Sequence, residues 1–336
     1  MSPFPSRRAR FAATLLTAGL LVAGCSSTDS SEDSSAATAA DAATGFPRTV
    51  EHFRGSTTIE SEPTRIVALD TSYSDAVLLL EAPLVGYVDY RTEDFPDYLG
   101  DSREYATDAV SVGKTADVSL EQVAALEPDL ILSAEVRDGE NYEELSAIAP
   151  TVFSQSTGPT WKDNIRLVAQ ALGKEDLAEQ KISEYEERAA AIGADINAKA
   201  GDPTISIVRF AGEPTARLYR TTSFSGIVLE DAGLARPASQ GPDPSDPSSI
   251  MNAVSPELIT EAEADVIFVT TYDLGDGKAQ AAAQPFVTNP LWQNLQGRKV
   301  EVDDSVWMMP VSIQGAHRIL DDLADTFGVD RHDPIA

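Results

Sequence analysis

The sequence predicts an α/β protein made of two similar lobes joined by one long helix, with a cleft between the lobes. Three observations carry that expectation. Short β-branched runs alternate with helical stretches from residue 65, and this alternation stops once and restarts, a pattern that argues for mostly parallel sheets. The interruption, from Trp161 to about Ala200, has no strand signal. Lastly, "VSLEQVAALEPDLIL" (118–132) and "VSPELITEAEADVIF" (254–268) align without a gap, so that Val118, Ser119, Glu121, Glu127, Asp129 and Ile131 meet Val254, Ser255, Glu257, Glu263, Asp265 and Ile267. A period this long excludes a solenoid and marks equivalent places in two lobes.

The elements follow in order. "RIVALD" (65–70) reads as a buried strand, followed by a helix through "SDAVLLLEA" and a second strand in "LVGYVDY" (84–90), since short apolar runs between turn signals suit strands. The next helix is the first copy of the repeat. Ser119 fits an N-cap, Gln122 completes a capping box, and Pro128 stops the helix near Glu127. Glu121 then falls in the first turn, while Val123 and Leu126 face the sheet. The strand "DLILSA" (129–134), a helix around "NYEELSAIA" and the strand "TVFS" (151–154) complete the first series.

"WKDNIRLVAQALG" is one amphipathic helix, and "KEDLAEQKISEYEERAAAIGADINAKAG" a longer one that closes on Gly201 with Pro203 beyond. At 1.5 Å per residue the second extends roughly 40 Å, more than one lobe requires, so it is the joining element. "TISIVRFAG" (204–212) and "ARLYR" (216–220) restart the strands, "SFSGIVLEDAGL" is a helix ending at Gly233, and a Pro/Ser-rich loop occupies 237–249. In the second copy of the repeat Ser255 is the cap, Pro256 suits the first helical position and Glu257 matches Glu121. The strand "DVIFVTTY" (265–272), a helix in "NPLWQNLQG", the strand "KVEVD" and a closing helix in "SIQGAHRILDDLADTFG" finish the chain.

The N-terminus speaks to location. Arg7, Arg8 and Arg10 precede an apolar run from Phe11 to Gly24, which has the parts of an export signal and falls short of the ~20 residues that span a bilayer. The run ends in "LVAGC", and Cys25 is the only cysteine. "LVAGC" resembles the lipobox of bacterial lipoproteins, which implies that Cys25 is lipidated and becomes the mature N-terminus. With that thiol used, folding rests on core burial and not on disulfides. The Ser-, Ala- and Asp-rich stretch up to residue 46 cannot offset the cost of ordering itself. The expected organisation is therefore a signal (1–24), a flexible tether (25–46), an N-terminal lobe (47–160), connecting helices (161–201) and a C-terminal lobe (202–336).

Charge and motifs narrow the function. The chain has 25 Lys and Arg against 54 Asp and Glu, a net −29 that becomes −32 once the three signal arginines are removed. Such a field excludes nucleic acid as a partner and makes any basic residue in the cleft conspicuous. No G-x-S-x-G elbow occurs, and His52, His317 and His332 lie near the chain ends. "VGKTADV" ends like a phosphate loop, but Asp108 stands where that motif needs glycine. Nor do His, Cys, Asp and Glu cluster with metal-ligand spacing. Neither catalysis nor a resident metal or cofactor is expected, and His317 reads as a packing or surface residue.

"PTRIVALD", "DAVLLLEAPLVGYVD", "VGKTADVSLEQVAALEPDLIL", "WKDNIRLVAQALGKEDLAEQKISEYEER" and "PLWQNLQGRKVEVDDSVWMM", in this order and behind a lipobox, resemble the periplasmic-binding family for iron-siderophore and cobalamin uptake. The likeness runs from about residue 48 to 328. It implies two Rossmann-like lobes joined by one long backbone helix, with a ligand held in a shallow cleft. It also implies a monomeric, lipid-anchored subunit on the outer face of the cytoplasmic membrane, which captures a ferric siderophore for the permease and ATPase of an ABC importer. The same fold serving cobalamin or haem is the nearest alternative, with Tyr73, Tyr90 or Tyr219 as axial candidates for haem. A structural or adhesion lipoprotein is the other, and arginines buried in ion pairs would favour it.

Ferric siderophores present oxygen atoms and often negative charge, which suits Arg and Lys, while aromatic walls suit their organic frame. Lys114 occupies the place from which hydroxamate-binding relatives commonly supply an arginine. Arg209, Arg217 and Arg220 fall at the start of the second lobe, and strand ends beside the cleft are where α/β sheets bind ligands. Three arginines would favour a carboxylate- or catecholate-type chelate. Trp307 matches the family's aromatic that lines the cleft after the last strand, and Tyr90, Arg91 and Arg137 each follow a strand of the first lobe. Trp161 and Trp292 read as packing residues. A first-turn carboxylate gains ~0.3 to 1 kcal/mol from the helix dipole, yet the resemblance gives Glu121 and Glu257 a second role, docking with arginines of the permease.

Overall fold

The structure, a computed structural model, describes residues 45–90, 95–272 and 275–333. The export signal, Cys25, the tether up to residue 44 and Arg91 lie outside the described residues. The first described element is a hairpin, β1 (Arg48–His52) and β2 (Gly55–Ile59), which the sequence analysis does not foresee. Gly55 turns it with φ +123, and Phe53 N–H donates to Phe153 O at 2.9 Å, which ties the turn to the first sheet.

That sheet is parallel throughout. Its strands are β3 (Ile66–Ala68), β4 (Leu84–Tyr87), β5 (Val110–Ser111), β8 (Leu130–Ala134) and β9 (Thr151–Ser154), in the order β5-β4-β3-β8-β9. Strands β6 (Gly113–Lys114) and β7 (Asp117–Val118) form a small hairpin beyond β5. The main α-helices of this half are α1 (Thr71–Leu79), α2 (Leu120–Ala125) and α3 (Tyr142–Ile148). Strand order reverses between β3 and β8, and such a switch point opens a crevice at the carboxyl ends.

Two helices then connect the halves, α4 (Trp161–Leu172) and α5 (Glu175–Ala200). The 26 residues of α5 extend roughly 39 Å at 1.5 Å each, and Gly201 closes it with φ +77. One residue inside α5 is held by contact and not by propensity. A Cβ added to Gly193 would lie 1.6 Å from Ala232 O at the end of α6 (Phe224–Asp231), so the helix accepts glycine there to let the second half approach.

The second sheet contains β10 (Ile205–Phe210), β11 (Ala216–Tyr219), β12 (Met251–Val254), β13 (Val266–Thr271) and β14 (Arg298–Glu301), in the order β12-β11-β10-β13-β14. It is mixed, because β11 runs antiparallel to both neighbours. Helix α7 (Lys278–Val287) carries Pro285 inside it, which hides it from sequence inspection, and α8 (Ile313–Phe327) closes the fold. The inner face of each sheet, α4, α5 and α8 share one continuous apolar core. The outer faces each have a smaller one.

The repeat is most alike at its end. Asp129 Oδ2 accepts from Thr64 N and Oγ1 at 2.8 and 2.9 Å, and Asp265 Oδ2 from Thr204 N and Oγ1 at 2.8 and 2.7 Å. Each aspartate thus clamps the start of a central sheet strand, β3 in the first half and β10 in the second. The helices between differ. Ser119 caps α2 through Gln122 N–H at 3.3 Å, whereas residues Pro256–Ala262 wind as a 3-10 helix that Ser255 does not cap. The Ser255 hydroxyl bonds the Glu257 carboxylate instead.

Candidate functional site

The cavity that concerns function lies between the two sheets and has a volume of about 660 Å³. Its first wall carries Thr71, Tyr90, Phe95 and Tyr98, and its second Asp303, Ser305, Val306, Met309 and Arg318. Thr71 follows β3, Tyr90 follows β4 and Asp303 follows β14. The cavity therefore sits at the carboxyl ends of both sheets, where strand-order reversal leaves room.

Local chemistry positions the first wall. Asp70 caps α1 by accepting from Ser72 N and Oγ at 2.9 and 2.6 Å. Its other oxygen takes Arg137 Nε at 2.7 Å. The pair sits directly before Thr71, with Asp70 buried and Arg137 partly open to solvent. Tyr87, Tyr90 and Phe95 pack as a tilted aromatic cluster with centroids 4.6 to 6.1 Å apart. Beneath them lies Asp75, fully buried, which accepts from Tyr90 Oη at 2.6 Å and from Tyr98 Oη at 3.1 Å. Burial pushes its carboxyl group up to about 7, against hydrogen bonds from Tyr90, Ser312 and Tyr98. Both phenols are raised well above their usual range, first by burial and then by the charge of Asp75. Ser312 and Gln314 belong to the start of α8, and Gln314 Nε2 donates to Asp75 O at 2.9 Å, so the two walls meet at this point.

The second wall corrects two expectations. Arg209 does not line the cavity: its side chain is 8% exposed, and its fork grips Asp304 with Nε–Oδ1 at 2.6 Å and Nη2–Oδ2 at 2.7 Å. Nη1 bonds Tyr219 Oη at 3.0 Å, and Thr270 Oγ1 adds a further bond to Asp304 at 3.1 Å. Arg209 holds the short helix Asp304–Trp307, whose Ser305 and Val306 line the cavity. Trp307 does not line it. It is fully buried, with its ring 4.5 Å from Phe268 and Nε1 donating to Asp322 at 2.8 Å, because the helix turns its apolar side to the core.

Arg220 is corrected by topology. Leu218 pairs with Val208 on antiparallel β11, so the chain at Arg220 has descended to the amino end of β10, away from the cavity. There Arg220 bonds Gly241 O at 2.9 Å and Asp243 Oδ2 at 3.0 Å. Arg217 sits opposite Arg209 in the register and pairs with Glu213. Lys114 is exposed on the β6–β7 hairpin beyond the carboxyl end of β5.

Arg318 was missed. Its side chain is 51% exposed and lies 3.1 Å from Asp321. It flanks the buried stripe of Ile313, Ala316, Ile319, Leu320 and Leu323 on α8, and a basic residue off that stripe in so acidic a chain was the available signal. The three tyrosines considered for haem are engaged: Tyr73 with Ser154, Tyr90 with Asp75, Tyr219 with Arg209. His317 packs edge-on to Tyr185 near Arg188, and burial lowers it to about 4.

Glu121 and Glu257 are both exposed. Ser119 N–H donates to Val112 O just past β5, and Val254 pairs through Ala216 with Phe210 at the end of β10. Both carboxylates therefore lie on the carboxyl-end side of their own sheets, one per sheet. The Ser255 hydroxyl and the backbone N–H of Glu257 hold the Glu257 carboxyl below its usual range.

Comparison with known proteins agrees with this geometry. Residues 66–299 match the family described as periplasmic binding protein. The chain is 34% identical over 325 residues to a probable siderophore-binding lipoprotein, YfiY, of Bacillus subtilis, covering 93% of this chain and 95% of that one. It is 28% identical over 316 residues to the Fe(3+)-citrate-binding protein YfmC of the same organism, covering 91% and 93%. The crystal structure of Staphylococcus aureus SirA complexed with staphyloferrin B superposes with a TM-score of 0.75 at 27% identity, covering 85% of this chain and 100% of that one.

Proposed function

The chain belongs to the periplasmic binding protein family, and from that premise we propose that it captures a ferric siderophore between its lobes and delivers it to an ABC permease. The observation that carries the proposal is the cavity of about 660 Å³ at the shared carboxyl edge, with an aromatic wall facing one that bears Arg318 and Ser305. That volume lies within the ~300 to 1,000 Å³ of small-molecule sites. The named ligands of the relatives, a siderophore, ferric citrate and staphyloferrin B, support a ferric chelate as cargo. Arg318 supplies positive charge at the wall, and Arg137, whose partner Asp70 directly precedes Thr71, Arg217 and Lys114 are the further candidates for ligand contact. Its family is one of binding proteins, and the role proposed here is capture without catalysis.

The lobes are residues 47–160 and 202–336, with 161–201 connecting them. Cys25 carries the lipid, as the lipoprotein names of relatives support, and the tether holds a monomer to the outer face of the cytoplasmic membrane. Glu121 and Glu257 dock with the permease, and its ATPase drives transport. Arg209 and Arg220 do sit in closed ion pairs, as a structural lipoprotein would have them. An open cavity with a half-exposed arginine favours binding. Haem is disfavoured because all three candidate tyrosine hydroxyls are engaged.

Titration with ferric siderophores, haem and cobalamin, followed by tryptophan fluorescence, tests the proposal. Trp307 directly follows Val306 of the cavity wall, so saturable quenching by at least one ferric siderophore is expected. A response to haem or cobalamin alone overturns the assignment.

A further inference from the structure

We propose that Asp75 withholds the two tyrosine hydroxyls of the cavity from bound iron, so that the cleft takes an intact ferric chelate and does not ligate its metal. This rests on the cleft being a ferric-chelate site. Tyr90 and Tyr98 both line the cavity, and each donates its hydroxyl to a different oxygen of Asp75. Because Asp75 is fully buried, the phenol oxygens point into the protein and the rings form the wall.

The chemistry gives this arrangement a purpose. Ferric iron is a hard cation and phenolate oxygen a fitting ligand for it. Where the chelate leaves a coordination position to water, a phenol that released its proton to solvent would place its oxygen there and displace that water. Iron would then be held by protein and its release would slow. Two features oppose that step: each hydroxyl already donates to a carboxyl group, and the negative charge of that group, once ionised, disfavours phenolate formation. The groups facing Asp75 are Tyr90 and Tyr98 of the wall, Ser312 and Gln314 at the start of α8, and Asp70 before α1. Among the described residues no cation offsets the charge of Asp75, and Asp75 is the carboxyl group to which both hydroxyls donate. A buried carboxyl group is costly, and packing alone would be served by an apolar residue.

The test uses ferric nitrilotriacetate, which leaves coordination positions to water, and reads the visible tyrosinate-to-iron charge-transfer absorption. Wild-type protein is expected to show little or none. Asp75→Ala is expected to raise it about tenfold or more, the worth of one hydrogen bond to a charged group. The isosteric Asp75→Asn keeps one acceptor oxygen and should give an intermediate rise, and it serves if the alanine variant does not fold. Tyr90→Phe in the Asp75→Ala background should reduce the band. A wild-type band equal to that of the variants, or no band in either variant, overturns the proposal. Quenching of wild-type fluorescence by coordinatively saturated ferric siderophores reports separately on the cleft itself, so failure there is distinguishable.

Discussion

At Asp75 burial and hydrogen bonding act in opposite directions, and burial prevails, raising the carboxyl from 3.8 to about 7. The folded chain therefore binds this proton more tightly than the unfolded chain. Between those two values the contribution of Asp75 to stability falls as pH rises, and the cost is complete above about pH 7, at most about 4 kcal/mol. Asp75→Asn carries no such cost, so thermal unfolding should show it gaining on wild type as pH rises across that window. His317, lowered to about 4, acts in the opposite sense, with stability lost as pH falls below its unfolded value of 6.5, and it cancels in the comparison. A second contrast separates holding from binding. Arg209→Ala removes the cationic partner of the buried Asp304 carboxylate and should cost about 3 to 5 kcal/mol in denaturant unfolding. Arg318→Ala should leave stability within about 0.5 kcal/mol but weaken chelate affinity about tenfold or more in the fluorescence titration. The directions of the Arg209 and Trp307 side chains could not be read from the sequence. The deciding partner of Arg209 is 95 residues away, and no local pattern announces it.

Among elements, those with long periods and glycine ends were legible. Helices α4, α5 and α8 fall where apolar spacing places them, and strand β9 matches "TVFS" residue for residue. The hairpin β1–β2, strand β12 and helix α7 were not foreseen, since their short alternations and Pro285 give no sustained period. Direction was also invisible: "ARLYR" reads as a strand in either sense, and its antiparallel course is what carried Arg220 away from the cavity. Helix α5 offers a prediction in which propensity and packing have opposite signs. Alanine at position 193 improves intrinsic helicity by about 1 kcal/mol, yet its Cβ would meet Ala232 O at 1.6 Å. Gly193→Ala should therefore destabilise the protein by about 1 to 3 kcal/mol, measured by chemical denaturation.

For the whole molecule, the ungapped repeat was the most informative stretch, because it revealed two lobes before any contact was known. Its shared aspartates clamp equivalent strands, and Glu121 and Glu257 lie on the carboxyl-end side of their respective sheets. Glu121→Ala or Glu257→Ala should impair uptake by cells while leaving chelate affinity unchanged in titration of the purified protein. An equal loss of both would place these carboxylates in ligand capture.

The common edge has a further consequence. If a partner touches Glu121 and Glu257 together, as proposed, it would span the carboxyl-end side of both sheets, on which the cavity also sits. Contact and closure would then be one event, with the route back to bulk solvent roofed over while the two proteins are joined. Cargo loosened at that moment would have its open path forward, so transfer would gain direction from placement alone.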